Sequence, residues 1–288
     1  MTIGNLALIR HINQSGSTLS SYTSTPINHS LTKSSMKRHL LDAICYDEFD
    51  LVYQPQTDIS GHLVVGVEAL LRWNSPALGP VLPTEFIPLA EESGLILDIG
   101  KLVIEKACAQ ASLWEKQYGK SVRIAINVSY VQVHDAAIVE FIQSCLSKYS
   151  LSVSALEIEL TESSLIKDTS KVIGVLNDFK DLGIRTAIDD FGTGYSSLSY
   201  LASMPFSLIK IDRSFISQLG SNATNTIITE SIIELSKKLN MEVLAEGVET
   251  ELQKRFLIEN SCDLMQGNLF SCPVSADKIP ALAGMQLC

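Results

Sequence analysis

Acidic residues are missing from the start of this 288-residue chain, where no Asp or Glu precedes Asp42. Large apolar groups are scarce there too, and Ser15 to Ser35 holds 12 Ser or Thr in 21 residues. Such a segment buries too little surface to offset its ordering entropy, so residues 1–35 are expected to be a loosely packed arm and 36–288 the folded domain. No apolar run approaches the ~18 residues of a bilayer-spanning helix, so no membrane span is expected. The short run Ile3 to Ile9 is followed by Arg10 rather than preceded by it, the reverse of a secretory signal. No C-x-x-C pair occurs among Cys45, Cys108, Cys145, Cys262, Cys272 and Cys288, which argues against a zinc or dithiol motif and for reduced thiols in a cytoplasmic protein. Positive charge is short as well. With 22 Lys and Arg against 32 Asp and Glu the net charge is −10, which argues against a scaffold for nucleic-acid polymers. A phosphate-bearing ligand would need local Arg, Lys or a divalent cation.

What the chain has is alternation. β-rich runs at Phe49–Gln54, Leu63–Leu71, Ser121–Val128, Ala155–Leu160, Ile184–Ile188, Ser207–Ile211, Glu242–Ala245 and near Asp263–Met265 are separated by amphipathic stretches. The latter predict helices at Met36–Tyr46, Leu97–Gln117, Ala136–Lys148, Thr169–Leu182, Ala223–Leu239 and Glu251–Glu259. Eight such runs with crossover helices imply an α/β fold whose parallel sheet closes into a (β/α)₈ barrel. Only Thr57 to His62 separates the first two runs, too short for a helical crossover, so these strands are expected to be antiparallel neighbours and the barrel a modified one.

The apolar runs end in polar groups: Glu68, Asn127, Glu159, Asp189 with Asp190, Lys210, Glu246 and Gln266. One such residue is ordinarily a helix cap or a surface group. In a β/α barrel, however, the strand ends converge on one mouth, and five converging carboxylates repel one another unless cations neutralise them. Either magnesium, manganese or calcium, or a set of salt bridges and caps, would serve. Asp189-Asp190 sits where a strand becomes a loop, so both carboxylates can turn to the mouth and one can bridge two cations. Two adjacent cations make a clamp for phosphodiester hydrolysis. The Gly-rich stretch Asp190-Phe191-Gly192-Thr193-Gly194 reads as a loop supporting that site. Glu162 is read either as its tether or as a helix N-terminal charge, and Arg72 as a phosphate fork or a surface salt bridge.

Tyr53-Gln54-Pro55, Glu68-Ala69-Leu70-Leu71-Arg72-Trp73, Phe86 to Gly94, Asn127-Val128-Ser129, Glu159-Leu160-Thr161-Glu162, Asp189 to Gly194, Lys210-Ile211-Asp212 and Ala245 to Thr250, in this order, resemble the EAL-domain family of bacterial cyclic di-GMP phosphodiesterases. The resemblance runs from about residue 36 to 280. It implies a TIM-like barrel with an antiparallel early strand, hydrolysis of cyclic di-GMP to linear pGpG with Mg2+ or Mn2+, and inhibition by Ca2+. It assigns Glu68, Asn127, Glu159 and Asp189 to a first metal, and Asp189, Asp190 and Glu246 to a second. Glu246 becomes the general base and Lys210 the holder of the attacking water or the phosphate. Gln54, Arg72 and Gln266 become substrate-binding, and Glu162 stabilises the 190–199 loop, which in the family couples to a dimer interface. A homodimer and a protein partner for the arm are the expected associations. Three positions depart from the family pattern: Ser75-Pro76 stands for His-Pro, Asn268 for a tyrosine beside the site, and Cys272 for an arginine before Pro273. A non-catalytic effector binding the same dinucleotide, or another metal-dependent barrel hydrolase, are the competing readings.

Overall fold

A short turn sets the topology. Strand β1 (Phe49–Asp58) is followed by β2 (Val64–Ser75), and between them the Asp58 carboxylate accepts from the backbone N–H of His62 at 2.9 Å and of Leu63 at 2.8 Å, with Gly61 at φ +76°. This side-chain-to-backbone turn folds the chain back on itself. The two strands pair antiparallel from Phe49↔Trp73 through Gln54↔Glu68 to Gln56↔Gly66. A short β3 (Gly79–Val81) adds to the far end of β2. The computed structural model describes residues 33–120, 122–165, 169–194, 201 and 203–286.

From β2 onward the strands run parallel through β4 (Arg123–Asn127), β5 (Leu156–Thr161), β6 (Arg185–Phe191), β7 (Leu208–Ile211), β8 (Glu242–Ala245) and β9 (Leu264–Gln266). β9 then pairs antiparallel with β1, closing an eight-stranded barrel to which β3 is an appendage. The antiparallel early strand expected from the 57–62 link is therefore present, and β1 is antiparallel to both its neighbours.

Helices cover the outside. α1 (Lys33–Cys45) begins three residues before the predicted Met36 and buries Leu40 and Ala43. α2 (Pro83–Ser93) is not among the predicted helices, and it contains two prolines, Pro83 and Pro88. Pro83 occupies the first turn, where its missing N–H costs nothing, and Gly94 ends the helix at φ +77°. α3 (Ile96–Tyr118) buries Ile99, Val103, Ile104, Ala107, Cys108, Ala111 and Trp114, the face its periodicity predicted. Further on come α4 (Tyr130–Val133), α5 (Ile138–Lys148), α6 (Thr169–Asp181), α7 (Arg213–Ile216), α8 (Ala223–Lys238), α9 (Glu251–Glu259) and α10 (Ile279–Leu282).

The main core lies between these helices and the outward faces of the strands. Inside the barrel a small apolar layer of Ala187, Leu208, Leu244 and Leu264 forms a separate cluster. Side chains two residues further along those strands point the same way, toward the mouth. Among the described residues no helix is long and apolar enough to cross a membrane, and the five described cysteines are free thiols. The expected arm, apart from residues 33–35 in α1, lies outside the described residues.

Candidate active site

All eight barrel strands send a polar side chain to one end. Gln54 comes from β1, Glu68 from β2, Asn127 from β4, Glu159 from β5, Asp189 from β6, Lys210 from β7 and Gln266 from β9, with Glu246 one residue past β8. Glu68, Glu159, Asp189, Lys210 and Gln266 are buried. The pleat accounts for most of the convergence, since Glu68, Asn127, Asp189, Lys210, Glu246 and Gln266 each lie two beyond an inward small or apolar residue, whereas Glu159 follows the buried Glu157 and Gln54 stands above the buried Gln56. β6 is the exception. Its register against β7 slips between Ile188 and Phe191, and Asp190 adopts φ +53°. That bulge re-aims the strand end, so Asp189 and the next residue both face the mouth.

Lys210 is the hub. Its Nζ lies 2.7 Å from Glu159 Oε2, 2.8 Å from Glu246 Oε1, 3.0 Å from Asp189 Oδ1 and 3.6 Å from Glu68 Oε2. Burial by itself would depress its pKa, but Asp189, Glu159, Glu246 and Glu68 together raise it well above the ordinary lysine value. The ammonium has three N–H groups and three close carboxylates, so contact with water or phosphate requires one of these to turn away. On the other side, Asn127 Nδ2 donates to Glu68 Oε1 at 2.7 Å, and Gln266 Nε2 donates to Glu68 Oε2 at 2.6 Å and to Gln54 Oε1 at 3.1 Å.

One ammonium does not balance this much acid. Burial, reinforced by Glu68 and Asp189, raises the Glu159 carboxyl well above its ordinary value despite Lys210. Burial also pushes Glu246 up to about 8 and, with Asp189 and Asp212, Asp190 up to about 6. The oxygens form two overlapping groups, Glu68–Glu159–Asp189 and Asp189–Asp190–Glu246, each with its atoms within 4.8 Å of one another. Asp189 belongs to both. An all-oxygen donor set with surplus negative charge fits a hard divalent cation.

Glu162 reaches the loop expected of it. Its Oε2 accepts from the backbone N–H of Gly192 at 2.8 Å and of Gly194 at 3.2 Å. Residues 195–200 of that loop lie outside the described residues. Arg72 sits on β2 beyond Glu68, half-buried, and donates Nη1 to Leu71 O at 2.9 Å. It borders a largely apolar cavity of about 300 Å³ with Leu71, Pro83, Ile87, Asn127 and Val128. The mouth itself is a polar cavity of about 370 Å³ lined by Gln54, Glu68, Asp189, Asp190, Glu246 and Gln266. Arg213, Glu249 and Asn268 also line it. Arg213 and Glu249 were not singled out from the sequence, although each stands three residues beyond a residue that was, Lys210 and Glu246.

The sequence model of the EAL domain matches residues 37–273. The chain belongs to the EAL domain family. It is 41% identical over 231 residues to the bifunctional diguanylate cyclase/cyclic di-GMP phosphodiesterase MucR of Pseudomonas aeruginosa, covering 80% of this chain and 34% of that protein. It is 37% identical over 239 residues to the cyclic di-GMP phosphodiesterase NbdA of the same organism, covering 83% and 30% respectively. This EAL chain thus spans about a third of the length of the curated relatives it matches. A solved structure of the PaMucR phosphodiesterase with c-di-GMP is similar at a TM-score of 0.80 and 39% identity, over 85% of this chain and 99% of that one. The modified barrel described above is the EAL barrel.

Proposed function

We propose that this chain hydrolyses cyclic di-GMP to linear pGpG with Mg2+ or Mn2+ bound at the barrel mouth. The observation that carries the reading is the pair of overlapping carboxylate groups sharing Asp189, set beside an apolar cavity rimmed by Arg72. Glu68, Asn127, Glu159 and Asp189 would hold one cation, and Asp189, Asp190 and Glu246 a second. The cations, when bound, supply Lewis-acid stabilisation of phosphate charge and a lowered pKa of bound water.

The chain's own residues supply the rest. Arg72 offers a planar fork to a phosphate. The cavity walls of Leu71, Pro83 and Ile87 accept the flat face of a guanine, while Gln54 and Gln266 orient the ribose-phosphate edge above Glu68. Glu246 would receive the proton of an attacking water on the carboxylate oxygen that Lys210 does not hold. The water oxygen adds to phosphorus, the P–O3′ bond breaks, and the departing 3′ oxygen takes a proton, leaving the 5′-phosphate of pGpG. Lys210 keeps the carboxylates from springing apart. Glu162 fixes Gly192 and Gly194 behind Asp190.

The test is incubation of the purified protein with cyclic di-GMP and Mg2+, with product followed by chromatography. Conversion to pGpG that is lost in Glu68→Ala and in Ca2+, a larger and more loosely coordinated ion, is the expected result. Nucleotide binding without product would replace this reading with a binding-only effector.

A further inference from the structure

One layer below the mouth, three strands place Gln56, Gly66 and Arg123 side by side. Gln56 pairs with Gly66 across β1 and β2, and Gly66 with Arg123 across β2 and β4. Gln56 is fully buried and donates Nε2 to Glu159 Oε1 at 3.5 Å, while the other Glu159 oxygen holds Lys210. Its amide oxygen has no hydrogen-bond partner. Nor has Arg123 Nε, which lies 3.4 Å from Glu157 Oε2 without hydrogen-bond alignment, nor Oε1 of the fully buried Glu157. Orphaned buried polar atoms are uncommon and costly, and these three lie on β1, β4 and β5, with only β2 between the first two.

Gly66 explains why the first two share a space. A Cβ built on it would come within 3.1 Å of Gln56 Oε1 and 3.4 Å of Arg123 Nε, so both atoms border the room its missing side chain leaves. Its backbone lies outside the left-handed region, so conformation does not demand glycine there. Glu157 sits on the next strand, paired with the small Ala125 and with Arg185, which donates Nε to Glu157 Oε2 at 2.9 Å.

We propose that this place is the seat of an ordered water, accepting from Arg123 Nε–H and donating to Gln56 Oε1 and Glu157 Oε1, and that Gln56, so fixed, is a positioning residue for Glu159. The inventory matches one water: one donor and two acceptors, the three bonds typical of buried water. The Arg123 guanidinium argues against a cation there, and an apolar filling would leave all three groups unmet. The water joins the Arg185–Glu157–Arg123 ion network to the mouth through Gln56. Partners of this kind orient a ligating carboxylate. The positioning half of the proposal rests on Glu159 being a metal ligand; the water does not.

The experiment pairs a crystal structure of the whole chain, at a resolution that shows ordered water, with Mn2+ titration followed by the resonance of the free ion. Density within hydrogen-bonding distance of all three atoms is expected in the wild type and lost in Gly66→Ala. Gln56→Leu is expected to weaken Mn2+ binding about 10- to 100-fold, leave the KM for the dinucleotide unchanged, and not lower the melting temperature of the metal-free protein. A dry site in the wild-type map overturns the water. Mn2+ binding by Gln56→Leu as tight as wild type, or a lowered melting temperature with Mn2+ affinity intact, overturns the positioning role. Failure of the wild type itself to bind Mn2+ overturns the metal assignment of Glu159 and with it the positioning role, while the map still decides the water.

Discussion

Replacing Lys210 with methionine removes the one cation at the centre of the carboxylate cluster while keeping the volume of its stem. The nearest ion pair, at 2.7 Å, carries a gross attraction of about 6 kcal/mol at an effective dielectric of 20. Desolvation consumes much of that, and deleting one partner of a buried pair costs about 3–5 kcal/mol in practice. Protonation sets a second scale. A carboxyl of ordinary value 4.5 can escape by taking a proton, at a cost of about 3.4 kcal/mol at pH 7. The two figures agree, so Lys210→Met should lose about 3–5 kcal/mol in the metal-free protein, which for a chain of this size is roughly 6–20 °C of melting temperature.

The sign with pH follows from Glu246, pushed up to about 8, and Asp190, pushed up to about 6. Both bind a proton more tightly folded than unfolded, so the folded state holds more protons between about pH 4 and 8, and stability falls as pH rises through that window. Without Lys210 the fall should be steeper. The deficit of Lys210→Met should be small near pH 4, where the carboxyls are neutral, and fully developed by pH 8. Millimolar Mg2+ should recover more stability in the variant than in the wild type, because the cation replaces the lost charge, while turnover stays low. The assay is calorimetric melting in chelator across that pH range, repeated with Mg2+. A variant that melts within about 2 °C of wild type at pH 8 in chelator, less than a 1 kcal/mol loss would produce, would refute the view that Lys210 holds the carboxylates together.

Glu162→Ala should free the Gly192 and Gly194 amides. Hydrogen bonds to a charged group contribute about 1.5–3 kcal/mol each, so amide exchange at those two glycines should quicken by roughly 10- to 100-fold, and unchanged exchange would remove the tether. Gly267→Ala would drive a Cβ to 2.1 Å from Val248 O and 2.3 Å from Val248 N, backbone atoms that cannot swing aside, and loss of folded yield or of more than about 4 kcal/mol is expected. Gly174→Ala, in α6 with nothing within 4 Å of the added carbon, should instead stabilise by about 0.5–1 kcal/mol in denaturant melts.

How much of this was legible depended on whether a residue's role followed from its own strand. The antiparallel start was readable because a six-residue link cannot hold a helix, and the mouth because polar residues ended one apolar run after another. α2 was not, since Pro83 and Pro88 suppress a helical reading that Pro83's place in the first turn makes harmless. β3 was too short to carry a period. The interior polar layer was half visible. Glu157 and Glu159 lie two apart on an otherwise apolar strand, as do Gln54 and Gln56 on β1, and a period of two with polar groups on the inward face is a signal that the barrel's inside is polar for two layers. What no single strand could reveal is the partnership. That Lys210 meets three carboxylates, and that Gln56 backs Glu159, depends on the register of separate strands. Closure of the barrel by β9 on β1 fixes those registers together, so the charge balance at the mouth is a property of the closed sheet rather than of any one segment.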